Sequence, residues 1–307
     1  MPRRDLAFIA QPAQAAKGRT LVLPFVLRLK NGFHSVVACS SQCRGLFRHA
    51  SGVILTEPST PKSREPIFNV PAAIVATVAV LMLVHAARIV LLTDEQDVEF
   101  VLAFGFIPAR YGGDIAVGSL PGGFGADLWS FFTYAFIHAD WTHLGLNLLW
   151  LVPFGSAVAR RFGAWRYGLF MLVTAAFGAM AHLATHLGAI EPTIGASAAI
   201  SGAMAAAMRF VFRRDGRVGF FRDGSDAAHL PVQPLRATLG DPRFLLFLAT
   251  WVGLNALFGF GTITFGGEPG QEIAWQAHVG GFFAGLFLFK AFDPASTPPE
   301  LTAEPSA

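Results

Sequence analysis

Thr193–Met208, TIGASAAISGAMAAAM, sets one hydroxyl, Ser197, among glycine and alanine at the point where an apolar helix begins. A second stretch, Ala274–Lys290, AWQAHVGGFFAGLFLFK, holds a single ionisable group in its apolar part, His278. A serine hydroxyl is a weak nucleophile until a base takes its proton, and an imidazole in hydrogen-bond reach is such a base. Gly281 and Gly285 follow His278 at helical spacing, so the three share one face, as do Ser197, Ser201 and Ala205 on the other segment. Two faces of such small residues bring helix backbones close, near enough for Ser197 to hydrogen-bond His278. That is the geometry of an activated nucleophile.

The elements that must position these residues are membrane spans. The chain of 307 residues is 53% hydrophobic and only 14% charged, with a mean hydropathy of +0.49, the composition of a polytopic membrane protein. Six apolar runs approach or reach the length of a spanning helix: Pro71–Leu92, His143–Ala159, Tyr167–Leu187, Gly195–Phe212, Phe244–Phe260 and Ala274–Phe289. None contains Asp or Glu. The fold class expected is an all-α polytopic bundle of six helices with a long interfacial loop after the first. Three parts are expected: residues 1–66 as a cytoplasmic segment, disordered or upstream of the true start; 67–292 as the six-span domain; and 293–307 as a short cytoplasmic tail. The Pro/Ser-rich tract Thr56–Pro66 reads as a polar leader to the first span, and Met1–Pro24 lacks a signal-peptide layout. The two cysteines, Cys39 and Cys43, support neither a disulfide framework nor a zinc cluster.

Loop charge gives the topology. Thr93–Trp141 carries Asp94, Glu95, Asp97, Glu99, Asp114, Asp127 and Asp140 against Arg110, with Phe100, Phe104, Phe106, Leu120, Phe124, Trp129, Phe131 and Phe132 read as exposed interfacial residues. The following connections alternate: Arg160, Arg161 and Arg166; then Glu191; then a loop with Arg213, Arg214, Arg217, Arg222, Arg236 and Arg243 against Asp215, Asp223, Asp226 and Asp241; then Glu268 and Glu272 with no Lys or Arg. By the positive-inside rule both termini are cytoplasmic, and the basic pI of about 9.1 reflects this asymmetry rather than nucleic-acid binding. Ser197 and His278 then both open outside-to-inside spans and fall at one depth, about 5 Å below the outer boundary at 1.5 Å per residue. The second span also starts outside, with His143 and Asn147 four apart on one face. As hydrogen-bond donors beside Ser197 they suit an oxyanion hole. With no carboxylate in any span, a Ser–His dyad is expected rather than a triad. His182 and His186 are another i,i+4 pair, but without H-E-x-x-H or a nearby carboxylate they read as packing residues, not a zinc site. His85 and Arg88 are expected to reach from the first span toward the acidic loop.

These residues together resemble the rhomboid family of intramembrane serine proteases, of the bacterial six-span type. The family pattern, a histidine and asparagine four apart on the second helix, G-x-S-G opening the fourth and A-H-x-x-G-x-x-x-G on the sixth, reads here as His143 and Asn147, as Gly195-Ala196-Ser197-Ala198, and as Ala277-His278-Val279-Gly280-Gly281-Phe282-Phe283-Ala284-Gly285. The tract Phe131–Gly163, with His138 and the Arg160-Arg161-Phe-Gly ending, is also similar, and the resemblance spans roughly residues 65–292. It implies a Ser197 nucleophile, a His278 general base, an oxyanion hole from His143, Asn147 and backbone N–H near Ser197, and close helix packing at Gly195, Gly202, Gly281 and Gly285. It implies cleavage of single-span membrane protein substrates within the lipid bilayer near the outer face of the bacterial inner membrane, with no cofactor, metal or nucleic acid. Ala198 departs from the pattern, which has glycine after the nucleophile, and a methyl there threatens the helix spacing and the oxyanion amides. Ser201, one turn deeper, is the fallback nucleophile. Two competing readings are a rhomboid-like protein that binds transmembrane segments without cutting them, favoured by Ala198, and a small transporter, which would need a polar path that the apolar cytoplasmic halves do not offer.

Overall fold

Apolar runs of this length cannot leave backbone groups unpaired in lipid, and a helix satisfies them within the run itself. In a computed structural model, which describes residues 7–10, 23–28, 34–39, 70–112, 119–211, 232, 234–259 and 274–294, a long helix forms at each of the six expected places. They are α1 (Ala72–Leu91), a continuous second helix made of α4 (Trp141–Trp150), a π-helical turn at Leu151–Gly155 and α5 (Ser156–Phe162), then α6 (Ala164–Thr185), α7 (Ser197–Val211), α9 (Pro242–Gly259) and α10 (Trp275–Phe292). Between α1 and α4 lie α2 (Asp94–Phe104) and α3 (Gly123–Thr133), and a short α8 (Leu235–Leu239) precedes α9. Among the described residues three helices are long and apolar enough to cross a membrane by themselves: Ala72–Leu91, Trp141–Phe162 and Ala164–Thr185. The chain is an integral membrane protein with a helical bundle, as expected.

The shortest of the six, α7, is short because protein surrounds it. α7 has 15 residues, about 22 Å at 1.5 Å per residue, against a hydrocarbon slab of about 30 Å. Its side chains from Ala198 to Phe210 are buried on every side, so it need not match the lipid. Alanine and glycine make this possible. On α10, a Cβ at Gly281 would run into the backbone of Ala198, and one at Gly285 into the backbone of Gly202, while a Cβ at Gly202 would sit 2.6 Å from Thr174 of α6 and 3.0 Å from the Gly281 carbonyl. α6, α7 and α10 therefore pack backbone to backbone. α1 and α9 are peripheral, presenting Val75, Leu83, Ile89 and Val90, and Leu245, Leu246, Val252 and Leu254, outward.

The C-terminal ends of α5, α7 and α10 meet in a buried polar cluster. Arg161 donates from both Nε and a terminal nitrogen to the two Asp293 oxygens, each at 2.9 Å, and its guanidinium lies 5.1 Å from the Phe210 ring and 5.5 Å from Phe289. Arg209 donates to the Leu286 carbonyl at 2.9 Å. Asp293, one residue past the expected domain boundary, is thus part of the packed body. The bidentate pair satisfies charges that would otherwise be costly at this depth.

The described residues of the acidic loop are held by caps, ion pairs and hydrogen bonds. Thr93 and Gln96 form a capping box at the start of α2, whose first turn holds Asp94, Glu95 and Asp97. Arg88 donates to both Asp97 oxygens at 2.7 and 2.8 Å. Arg110 donates to the carbonyls of Leu102 and Pro121 at 2.6 and 2.7 Å and to Asp127 at 3.2 Å. Phe124 and Phe132 are exposed as expected, but Phe106 is fully buried, in a ring cluster with Tyr111, Phe131 and Tyr134. Its backbone explains the difference, since it pairs with Thr193 and is drawn under the loop. His85 reaches the last residue of that loop, edge-on to Trp141 at 4.5 Å, and is buried there.

Residues 1–69 are a separate compact unit, in which β1 (Ala7–Ala10), β2 (Leu23–Arg28) and β3 (His34–Cys39) form an antiparallel sheet in that order. No strand was expected there. Pro24 lies in the central strand but beyond the end of β1, which pairs only as far as Phe25, so its missing N–H costs no bond on that side. The leader tract 56–66, Cys43 and the charged loops at 212–231 and 260–273 lie outside the described residues.

The close approach at α7 makes a test. Gly285→Ala places a methyl against the Gly202 backbone and is expected to lower stability by about 1–3 kcal/mol, read as a lower thermal midpoint by circular dichroism in detergent.

Candidate active site

α7 begins inside the body, so an irregular strand of chain must reach it, and each of its backbone groups needs a partner. Thr193 exchanges two bonds with Phe106, at 2.8 and 3.0 Å, the Gly195 N–H donates to the Tyr134 carbonyl at 3.0 Å, and the Ala196 N–H donates to His138 Nε2 at 3.4 Å. Tyr134 is itself pinned by its hydroxyl, which donates to the Ala175 carbonyl at 2.8 Å. Gly195 takes φ +119°, in the region that favours glycine, and a Cβ there would lie 2.8 Å from His143 Nε2 and 3.8 Å from Ser197 Oγ. Glycine is required at 195 both for its conformation and for its space.

Ser197 is the first residue of α7. Its Oγ and Nε2 of His278, the fourth residue of α10, share a hydrogen bond of 2.7 Å. The other imidazole nitrogen, Nδ1, lies 2.6 Å from Asn255 Oδ1 on α9. Sequence reasoning missed Asn255. The signal was there, a lone amide in an apolar span one turn from its end, where such a group must find a partner. Ser201, the fallback, points elsewhere: its hydroxyl donates to the Ser197 carbonyl at 2.8 Å, the usual back-bond of a helical serine. No partner for the N–H groups of Ser197, Ala198 and Ala199 is found among the described residues, whereas the Ile200 N–H already bonds the Ala196 carbonyl. These are the orphan donors of a helix start, carrying the positive end of its dipole.

His143 and Asn147 come from the first turns of α4. Asp140 caps that helix, accepting the His143 N–H at 2.8 Å. His143 Nδ1 faces the Ala139 N–H at 3.5 Å, and the opposite nitrogen, Nε2, points at Gly195 beside Ser197 Oγ. Asn147 donates to the His143 carbonyl at 2.9 Å. It bonds neither Ser197 nor His278, and its second N–H has no partner among the described residues. His182 and His186 stack face to face at 4.3 Å, which turns their ring planes together rather than their lone pairs toward one point.

The methyl of Ala198 has a place. A Cβ on Gly178 of α6 would come within 2.5 Å of the Ala198 Cβ, so the absence of a side chain at 178 is what admits the methyl at 198. α10 meets Ala198 through its backbone at Gly281.

The family model for the Rhomboid domain matches residues 125–292. This chain belongs to the rhomboid family. The match covers the helices that carry Ser197, His278, His143 and Asn147, and rhomboids are in general serine proteases that act on membrane proteins within the bilayer. No curated protein matches the chain.

His138 holds the rhomboid site from behind. It lies outside the spans, fully buried, with its carbonyl accepting from Arg88 at 2.7 Å. Burial, and then the neighbouring His143, hold its imidazole down at about 3, so it stays neutral and keeps Nε2 free to accept the Ala196 N–H. Between that value and the ordinary 6.5 the unfolded chain binds a proton that the folded one does not. Stability therefore falls as pH drops below 6.5, by up to about 1.4 kcal/mol per pH unit from this group. His138→Gln is expected to flatten the dependence of the thermal midpoint on pH between 4 and 6.5 by that one-proton share.

Proposed function

We propose that this rhomboid is an active intramembrane serine endopeptidase that cleaves transmembrane segments of single-span membrane proteins. Ser197 attacks the scissile carbonyl, and His278 takes its proton and returns it to the leaving amine. The observation that carries this reading is the 2.7 Å contact between Ser197 Oγ and His278 Nε2, made between helices that meet on glycine. A proton can pass along that bond as the new C–O bond forms.

The oxyanion formed in attack needs preorganised donors on the side of Ser197 away from His278. The unspent N–H groups at the start of α7, His143 Nε2 and the second N–H of Asn147 are the donors on offer. Ala139 facing Nδ1 of His143 favours the tautomer with hydrogen on Nε2. A substrate helix must unwind locally to present a peptide bond here, so small and helix-breaking residues near the cut are favoured. In a bacterial inner membrane, with both termini cytoplasmic as the loop charges indicate, Ser197 and His278 face the outer side, from which water enters.

The test is cleavage of a fluorescent transmembrane reporter by protein in liposomes. Wild type is expected to cut and to be labelled by a serine-reactive fluorophosphonate. Ser197→Ala and His278→Ala are expected to abolish cleavage, while Ser201→Ala leaves it within a few-fold of wild type. Asn147→Ala removes one oxyanion donor and is expected to lower kcat by about 10²–10³. An unlabelled, inert wild type would replace this reading with a protein that binds transmembrane segments without cutting them.

A further inference from the structure

We infer that Asn255 is the positioning residue of this site, a third member that fixes the tautomer and orientation of His278 from a different helix. The inference rests on the proposed roles of Ser197 and His278 and begins from a backbone carbonyl. Asn255 Nδ2 lies 2.8 Å from the Trp251 carbonyl oxygen. A carbonyl only accepts, so the amide nitrogen must face it, and the amide oxygen must face His278. That oxygen, 2.6 Å from Nδ1, also only accepts, so Nδ1 must carry the hydrogen. A neutral imidazole carries one hydrogen, which leaves Nε2 bare toward Ser197 Oγ, 2.7 Å away. Of the two tautomers only this one can accept the serine proton. One carbonyl on α9 thereby determines the state of a base on α10.

The contact is one rung of a ladder. Trp251, Asn255 and Gly259 are spaced one turn apart on one face of α9. Facing them in antiparallel order on α10 are Phe282, His278 and Trp275. Trp251 stacks on Phe282 at 4.4 Å, Asn255 bonds His278, and Gly259 leaves room for the Trp275 ring, whose Cγ would be 2.9 Å from any Cβ there. The apolar rungs above and below set the height and rotation of the polar one, so the amide meets the imidazole without a flexible search. Asn255 touches neither Ser197 nor a reacting atom, and its effect passes through His278. Asparagine rather than aspartate suits the setting, because it orients the imidazole without placing a charge in an apolar span.

Kinetics and spectroscopy test this separately from the reading it rests on. Asn255→Leu is expected to lower kcat on the order of 10²-fold with KM within a few-fold of wild type, as expected when an orienting partner is lost. Asn255→Asp is expected to recover most of that loss and to move the acid limb of the pH–rate profile to higher pH, because a carboxylate stabilises the imidazolium. A merely structural asparagine would move the thermal midpoint and leave the acid limb in place. The imidazole ¹⁵N shifts of His278 need no substrate: wild type is expected to show hydrogen on Nδ1 and bare Nε2, and Asn255→Leu a mixture of tautomers. A wild-type spectrum with hydrogen on Nε2, or an Asn255→Leu variant with unchanged kcat and unchanged ¹⁵N shifts, would overturn the inference. An inert wild type with the Nδ1–H spectrum would sustain the orienting role and refute the protease reading alone.

Discussion

The contact of Gly281 and Gly285 with the backbone of Ala198 and Gly202 sets the distance on which everything else in the bundle depends. A serine side chain is short, and it reaches an imidazole on another helix only where the two backbones nearly touch. Lipid supplies no hydrophobic drive to push helices together, so close packing must come from small residues with many van der Waals contacts. The alanines of α7 extend the same rule around its circumference. Larger side chains would have made a wider bundle in which Ser197 and His278 could not meet.

A second constraint follows from where α7 starts. Chain that is not helical is tolerated at this depth only if protein or water satisfies it, and Thr193, Gly195 and Ala196 are held through Phe106, Tyr134 and His138. Those partners are anchored in turn by Arg88, Asp97 and Ala175. The acidic loop is therefore structural support for the segment that presents Ser197, which explains why so polar a loop contains a buried aromatic cluster and two bridging arginines.

Much of this was legible in the sequence. The six helices appear within a few residues of the apolar runs, because length and apolarity leave a membrane chain few alternatives. Ser197 and His278 could be paired in advance since each opens a span on one side and each lies on a face of small residues. Asn255 could not be paired in advance. Its role depends on the rotation of α9, and α9 is apolar nearly all round, so periodicity does not say which face turns inward. The fit of Ala198 depends on Gly178, whose role appears only when α6 lies beside α7. The burial of Phe106 has no local signal: a loop residue is pulled inward by tertiary partners that no sequence pattern announces. The strands Ala7–Ala10, Leu23–Arg28 and His34–Cys39 are short runs of four to six residues, which periodicity alone does not assign.

The burial of α7 has a consequence for measurement of depth. A helix in contact with lipid tilts or shifts when the bilayer thickens or thins, but α7 is enclosed by protein from Ala198 to Phe210 and is shorter than a hydrocarbon slab of about 30 Å. The height of Ser197 is referred to its companion helices and not to the headgroups. Under the proposed reading, the enzyme is a ruler whose zero belongs to the protein. The bond it cuts is then registered by how far a substrate's own helix has risen against that fixed mark, and membranes of different thickness alter the substrate's side of the comparison only.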